Sequence, residues 1–224
     1  PFDVDKKVIE YAIQTENRLA DMTLEGFCDE LSTDSPAPGG GSVAALCAAM
    51  SAGLSAMVAN LTINKKGYEK VWETAKPIAE EAQIAKLNAI RAIDEDTQAF
   101  YEMMDAMRLP KGTDEEKSAR NIAIQNATKN AIIIPFKTLE LALECVLLAE
   151  RIAEIGNKNA LSDAGVAAIT ANAAAKAAYL NVKINMGSIE DENFKKEILT
   201  KSDELANKIN TKAISVEDKI KNSL

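Results

Sequence analysis

Alanine occupies 37 of the 224 positions, and much of it falls in two stretches that carry almost no charge. Ser42 to Ile63 has no charged residue, and from Asp163 to Met186 the only charges are Asp163, Lys176 and Lys183. Alanine is the strongest helix former, whereas strands favour β-branched and aromatic side chains, and only ten aromatic residues are present. A helix without a polar face is buried on all sides, so both stretches are placed at the centre of a helical bundle. The chain is therefore predicted to be all-α: one domain of about seven helices around two Ala/Gly-rich central helices. The first stretch is also long enough to span a bilayer. Its Ala, Ser, Gly and Met content and the absence of a second candidate favour a buried central helix, with Ala45, Ala49 and Gly53 as a smooth stripe for close packing.

The remaining elements follow from apolar spacing and punctuation. Val4, Val8, Ile9, Ala12 and Ile13 predict a short helix in an N-terminal extension, residues 1–21, ahead of a domain over 22–224. Leu24, Phe27, Cys28 and Leu31 form the next helix, which ends before Ser35-Pro36-Ala37-Pro38-Gly39-Gly40-Gly41-Ser42, where Ser42 is expected to cap its successor. Pro77 is expected to break or restart a long helix running from Ile78 to Met107. Thr113 with Glu116 reads as a capping box, and Pro135 as a kink in the helix that stops near Gly156-Asn157. Ser162-Asp163 is the expected start of the second small-residue helix. Phe194, Ile198, Leu205, Ile209, Ile214 and Ile220 stripe the last one, over 190–223.

Composition excludes several chemistries. There is no histidine, which removes Ser-His-Asp and Cys-His catalysis, His-ligated zinc and imidazole switching. Acid-base work must fall to Asp, Glu, Lys, Tyr or Cys. A net charge of −8 argues against nucleic-acid and anionic-membrane partners. Cys28, Cys47 and Cys145 are odd in number and set among apolar neighbours, so they read as buried free thiols in a reducing compartment. Asp3, Asp5, Lys6 and Lys7 have no apolar stretch behind them, so no secretory leader is expected and the expected location is cytoplasmic.

Two features could carry chemistry. Pro38-Gly39-Gly40-Gly41-Ser42 runs into a helix N-terminus, where free N–H groups and the helix dipole can hold an anion or developing negative charge, although no Lys-Ser/Thr follows as in a P-loop. Asp94, Glu95 and Asp96 lie within an apolar-striped helix, and at 100° per residue they cannot share one face. Asp163 is a third candidate, with helix capping as its competing role.

With these residues in view, the chain resembles the formimidoyltetrahydrofolate cyclodeaminase / methenyltetrahydrofolate cyclohydrolase family. The likeness covers residues 22–220: Met22-Thr23-Leu24, the Ser35–Ala45 signature, Met57–Thr62, Asp96-x-x-Ala99-Phe100, Ala106–Lys111, Gly156-Asn157, Ser162-Asp163, Tyr179–Val182 and Ile184-Asn185. Ala106–Lys111 and Phe2–Tyr11 are more like the cyclodeaminase half of the bifunctional formimidoyltransferase-cyclodeaminases. The resemblance implies an all-helical homodimer with the folate site near the subunit interface and the glycine turn along it. It also implies that the family's catalytic aspartate is Asp96, and a formimidoyltransferase as a further partner.

The implied reaction converts 5-formimidoyltetrahydrofolate to 5,10-methenyltetrahydrofolate and ammonia, and needs no metal, nucleotide or redox cofactor. A methenyltetrahydrofolate cyclohydrolase and a non-catalytic folate-binding or channelling subunit are the alternatives. Pro38, Gly39, Gly40, Gly41, Ser42, Asn157 and Asp163 are the expected substrate contacts. Lys65, Lys66, Arg108 and Lys111 are the candidates for the glutamate tail of a polyglutamylated folate.

Overall fold

The structure, a computed structural model, describes residues 18–223. Among these are six α-helices and four short 3-10 turns, with no strand. The helices are α1 (Leu24–Leu31), α2 (Gly40–Thr62), α3 (Trp72–Arg108), α4 (Asp114–Ile155), α5 (Leu161–Asn185) and α6 (Glu192–Lys221). The helix expected near residues 4–13 lies outside the described residues.

The two small-residue stretches are α2 and α5, and they pack against each other at the centre. α3 and α4 flank α2, and α6 closes over α4 and α5. α2 is long and apolar enough to cross a membrane, and most of that stretch is buried inside the bundle. Ala44, Ala48, Ala52, Ala56 and Ala59 of α2 and Ala164, Ala168, Ala171 and Ala175 of α5 are nearly or wholly buried. Their small side chains permit helix axes at the near end of the usual 8–10 Å spacing. Gly53 is not part of this seam: a Cβ there would meet nothing within 4 Å. Ser51 Oγ donates to the Ala167 carbonyl at 2.7 Å, and the two helices run antiparallel, with Gly40 beside Asn181 at one end and Thr62 beside Asn157 at the other. Larger apolar groups fill the remaining core; wholly buried Leu139, Ile152 and Ile209 each contribute about 1.5–3 kcal/mol of burial.

Local signals account for most boundaries. Thr113 and Glu116 form the reciprocal capping box that starts α4. Three expectations are corrected, those for Pro77, for Ser162-Asp163 and for Ile214. Pro77 does not break α3; it sits in the second turn on the exposed side, where water can solvate the carbonyl its missing N–H leaves free. Pro135, where a kink is expected, lies buried inside α4, and the carbonyl left unpaired there, that of Ala131, accepts from Asn185 Nδ2 at 2.9 Å. Ser162-Asp163 does not begin α5, because a 3-10 turn over Lys158–Ala160 leads straight into Leu161 and Asn157 caps that turn. In α6 the buried stripe passes through Ala213 and Val216, so Ile214 is exposed.

Candidate active site

The glycine turn and the acidic cluster meet. Gly39 is the N-cap of α2 and offers no side chain to its free N–H groups; the Ala37–Pro38 peptide just before it is cis. Ser42 is not the cap. It is the third residue of the helix, fully buried, and its hydroxyl faces α3: the Ile93 carbonyl is 3.2 Å away, Asp96 Oδ2 3.3 Å and Thr97 Oγ1 3.4 Å. The single hydroxyl proton serves one of these acceptors at a time. The carboxyl at this helix N-terminus is therefore the chain's own, that of Asp96.

Gly41 is what lets Asp96 come so close. A Cβ on Gly41 would fall 1.9 Å from Asp96 Oδ1, nearer than any real side chain is tolerated. On the other side, a Cβ on Gly40 would lie 3.3 Å from Asn181 Nδ2 of α5. Consecutive glycines thus admit side chains from two other helices to the start of α2.

The three acids diverge as their 100° steps require. Asp94 is taken by Arg18, whose Nε lies 3.2 Å from Oδ2, and by the Ala20 N–H. Glu95 is exposed. Asp96 is only partly exposed, and its burial pushes the carboxyl above the usual aspartate range; the Ser42 hydroxyl and backbone N–H pull the other way without cancelling it. A carboxyl so placed holds a proton more readily than one in water, which suits a group that must take one up and return it.

Asp96 opens onto a cleft of about 270 Å³ lined by Ala37, Gly39, Gly40 and Gly41, by Thr97, Phe100 and Met103 of α3, and by Asn181, Ile184 and Asn185 of α5. Of the sequence candidates, Gly39, Gly40, Gly41 and Asp96 line it. Ser42 stands behind Asp96, and buried Pro38 supports the turn. Asn181 and Asn185 enter the sequence reading only through the resemblance. Their spacing, one turn apart in an alanine-rich helix, was the signal that they share a wall.

Six expected contacts, Lys66 and Lys111 among them, do not line this cleft within one chain. Lys65 follows the far end of α2, roughly 30 Å along the axis at 1.5 Å per residue. Asn157 is at that same end, where its N–H donates to Thr62 Oγ1 at 2.8 Å, Nδ2 to the Leu61 carbonyl at 3.3 Å, and Oδ1 accepts from the Asn159 N–H at 3.0 Å. Asp163 occupies the first turn of α5, also at that end. Arg108 lies about 18 Å beyond Asp96 along α3 and is exposed and paired with Asp105 at 3.1 Å.

A roomier groove of about 650 Å³, lined in part by Gly156, Lys158, Lys219 and Ser223, also occupies that opposite end. Its Glu154 is held by Lys219 at 2.9 Å, so it offers no carboxyl in an apolar setting. Among the described residues no cluster of three or more Cys, Asp or Glu side chains converges on a metal position. Of the cysteines only Cys145 is buried, its thiol pushed up to about 12 by desolvation; Cys47 is half-buried and Cys28 exposed, which corrects the expectation of three buried thiols.

Comparison with known proteins places this architecture. The family described as Formiminotransferase-cyclodeaminase matches residues 23–204. A methenyltetrahydrofolate cyclohydrolase from Methylorubrum extorquens is 43% identical over 177 residues, 79% of this chain and 85% of its own. The formimidoyltransferase-cyclodeaminase of Mus musculus is 33% identical over 219 residues, 96% of this chain; the chain spans 40% of that longer protein. The crystal structure of formiminotetrahydrofolate cyclodeaminase from Thermotoga maritima superposes with a TM-score of 0.75 at 32% identity, covering 90% of this chain and 95% of that one. The helical bundle around α2 and α5, with Asp96 set at the α2 N-terminus, is thus that of a member of the formiminotransferase-cyclodeaminase family.

Proposed function

We propose that the protein is a cyclodeaminase that converts 5-formimidoyltetrahydrofolate to 5,10-methenyltetrahydrofolate and ammonia, with Asp96 as its acid-base group. The observation that carries this reading is one carboxyl, raised by burial and braced by Ser42, opening onto a cleft. With the formimidoyl group bound as its cation, N10 attacks the one-carbon centre and the C=N electron pair moves onto the formimidoyl nitrogen. Ionised Asp96 takes the proton from N10, then passes it to the amino nitrogen of the tetrahedral intermediate. The C–N bond breaks, its electron pair leaves with ammonia, and the N5 lone pair completes the methenyl cation. Charge is conserved and Asp96 ends as it began. At about 270 Å³ the cleft is at the small end of ligand sites, so it receives the reacting end of the folate and leaves the glutamate tail outside.

Asp96→Asn tests the assignment. Turnover should fall by about two orders of magnitude or more with helical circular dichroism and folate binding retained. A folded, active Asp96→Asn would remove the residue from the chemistry.

Hydrolysis of methenyltetrahydrofolate is the second reading, favoured by the 43% identity to a cyclohydrolase. There the same carboxyl would take a proton from the water that adds to the methenyl carbon.

We also propose that the site works in a homodimer. α2 and α5 expose large apolar side chains, Met50, Met57 and Leu61 on one helix and Ile169, Leu180 and Ile184 on the other. Ile184, 77% exposed, belongs both to this group and to the cleft wall. A two-fold axis across the helices would set the Lys65-Lys66 end of a second copy beside the cleft mouth. Positive charge for a polyglutamate tail would then come from that copy. The fusion seen in the mouse relative makes a formimidoyltransferase the natural supplier of substrate.

A further inference from the structure

Two side chains in the cleft have no part in the chemistry described so far. Asn181 and Asn185 stand one turn apart on α5, facing the glycine turn and Asp96. Asn185 Nδ2 spends both of its N–H groups, and Asn181 Nδ2 spends one of its two. Asn181 Nδ2 donates to the Ala177 carbonyl at 2.9 Å, and Asn185 Nδ2 donates to the carbonyls of Ala131 at 2.9 Å and Asn181 at 3.2 Å. Exchanging oxygen and nitrogen in either amide would set oxygen against carbonyl oxygen, so the hydrogen-bond network determines both orientations. The Ala131 carbonyl is available only because Pro135 has no N–H to offer it, which ties Asn185 to a fixed point in α4. Among the described residues, neither carboxamide oxygen has a hydrogen-bond donor. The cleft therefore presents two oriented acceptors next to its acid-base group, and no wall residue satisfies them.

We propose that the carboxamide oxygens of Asn181 and Asn185 accept hydrogen bonds from the N–H groups of the one-carbon unit, holding its nitrogen beside Asp96 and selecting an amidine over a carbonyl analogue. The proposal rests on the cyclodeaminase reading and names what recognises its leaving group. The formimidoyl nitrogen bears N–H donors in the substrate, in the tetrahedral intermediate and in departing ammonia. Two acceptors can fix it throughout while its lone pair, once formed, turns to protonated Asp96. A formyl oxygen in the same place carries no proton and would face two oxygens, leaving all three unsatisfied. A site built to pair a donor rejects the analogue lacking it. Both asparagines are positioning residues, since neither exchanges a proton with the substrate.

The test compares binding of 5-formimidoyltetrahydrofolate and 5-formyltetrahydrofolate, which differ in one heavy atom with its protons and charge, to Asp96→Asn enzyme, where the ligand is not consumed. The formimidoyl ligand should bind about tenfold or more tightly. Adding Asn181→Leu should bring the ratio close to one, mainly by weakening the formimidoyl ligand, while Asn181→Asp, which keeps acceptor oxygens, should preserve the preference. Asn181→Ala covers the case in which leucine disturbs the packing, and a purely structural role would weaken both ligands alike. A ratio unmoved by Asn181→Leu and Asn181→Ala, or absent from the start, overturns the proposal. Ammonia release by the unsubstituted enzyme tests the cyclodeaminase reading separately. An enzyme that releases none defeats that reading, and the binding ratio still decides whether the asparagines recognise N–H donors.

Discussion

Asp96 sits where two opposing demands meet, and its surroundings set the balance. Burial lifts its pKa while Ser42 lowers it. A carboxyl raised on folding contributes stability below its unfolded pKa and loses that contribution as the pH climbs through the folded value. Above the folded pKa the ionised group is therefore a net cost, so Asp96→Asn should raise the melting temperature there. The gain should shrink as the pH is taken down into the carboxylate range, and thermal melts of both proteins across that range check it. Ser42→Ala removes a donor to the ionised form, so the acid limb of the kcat/KM profile should move to higher pH; an unmoved limb would detach Ser42 from the titrating group. Gly41→Ala places a methyl where the carboxylate now lies. Turnover should fall by about tenfold or more with helicity intact, and an unimpaired Gly41→Ala would mean that this approach is not needed for catalysis.

Among the helices, two kinds of signal behave differently. Local ones could be read directly: the Thr113–Glu116 box starts α4 as its spacing implied, and Thr113→Ala should cost about 1 kcal/mol in urea unfolding. Ser162 has the right residue type for a cap but lies inside α5, so Ser162→Ala should leave stability unchanged. The difference is tertiary: Asn157 is pinned by Thr62 and Leu61, and that places the turn ahead of where the local signal would begin it. Ser42 departs from its expected capping role for the same reason, since its hydroxyl finds partners on α3 rather than on its own helix. The central seam depends on alanine being small. Ala168, wholly buried between α5 and its neighbours, should tolerate leucine poorly, with Ala168→Leu costing about 1–3 kcal/mol.

At the scale of the molecule, the all-α fold was legible because alanine content and charge-free runs leave few other ways to bury the chain. Bringing Asp96 to Gly41 was legible only through resemblance, as no local pattern links residues 55 positions apart. Lys65, Asn157 and Asp163 were grouped with them by sequence, yet α2 and α5 carry them to the opposite end of the bundle. A two-fold assembly would reunite part of that set. Replacing Ile169 and Leu180 together by Asp should give monomers in sedimentation and weaken binding of polyglutamylated folate; a dimer that survives would move the interface elsewhere. The account as a whole stands on what leaves the cleft. Supplied with 5-formimidoyltetrahydrofolate, the protein should release ammonia in step with the rise of methenyl absorbance, one for one. Hydrolysis of methenyltetrahydrofolate with no ammonia from the formimidoyl substrate would contradict it and make the protein a cyclohydrolase, and bound folate with neither product would leave a binding protein.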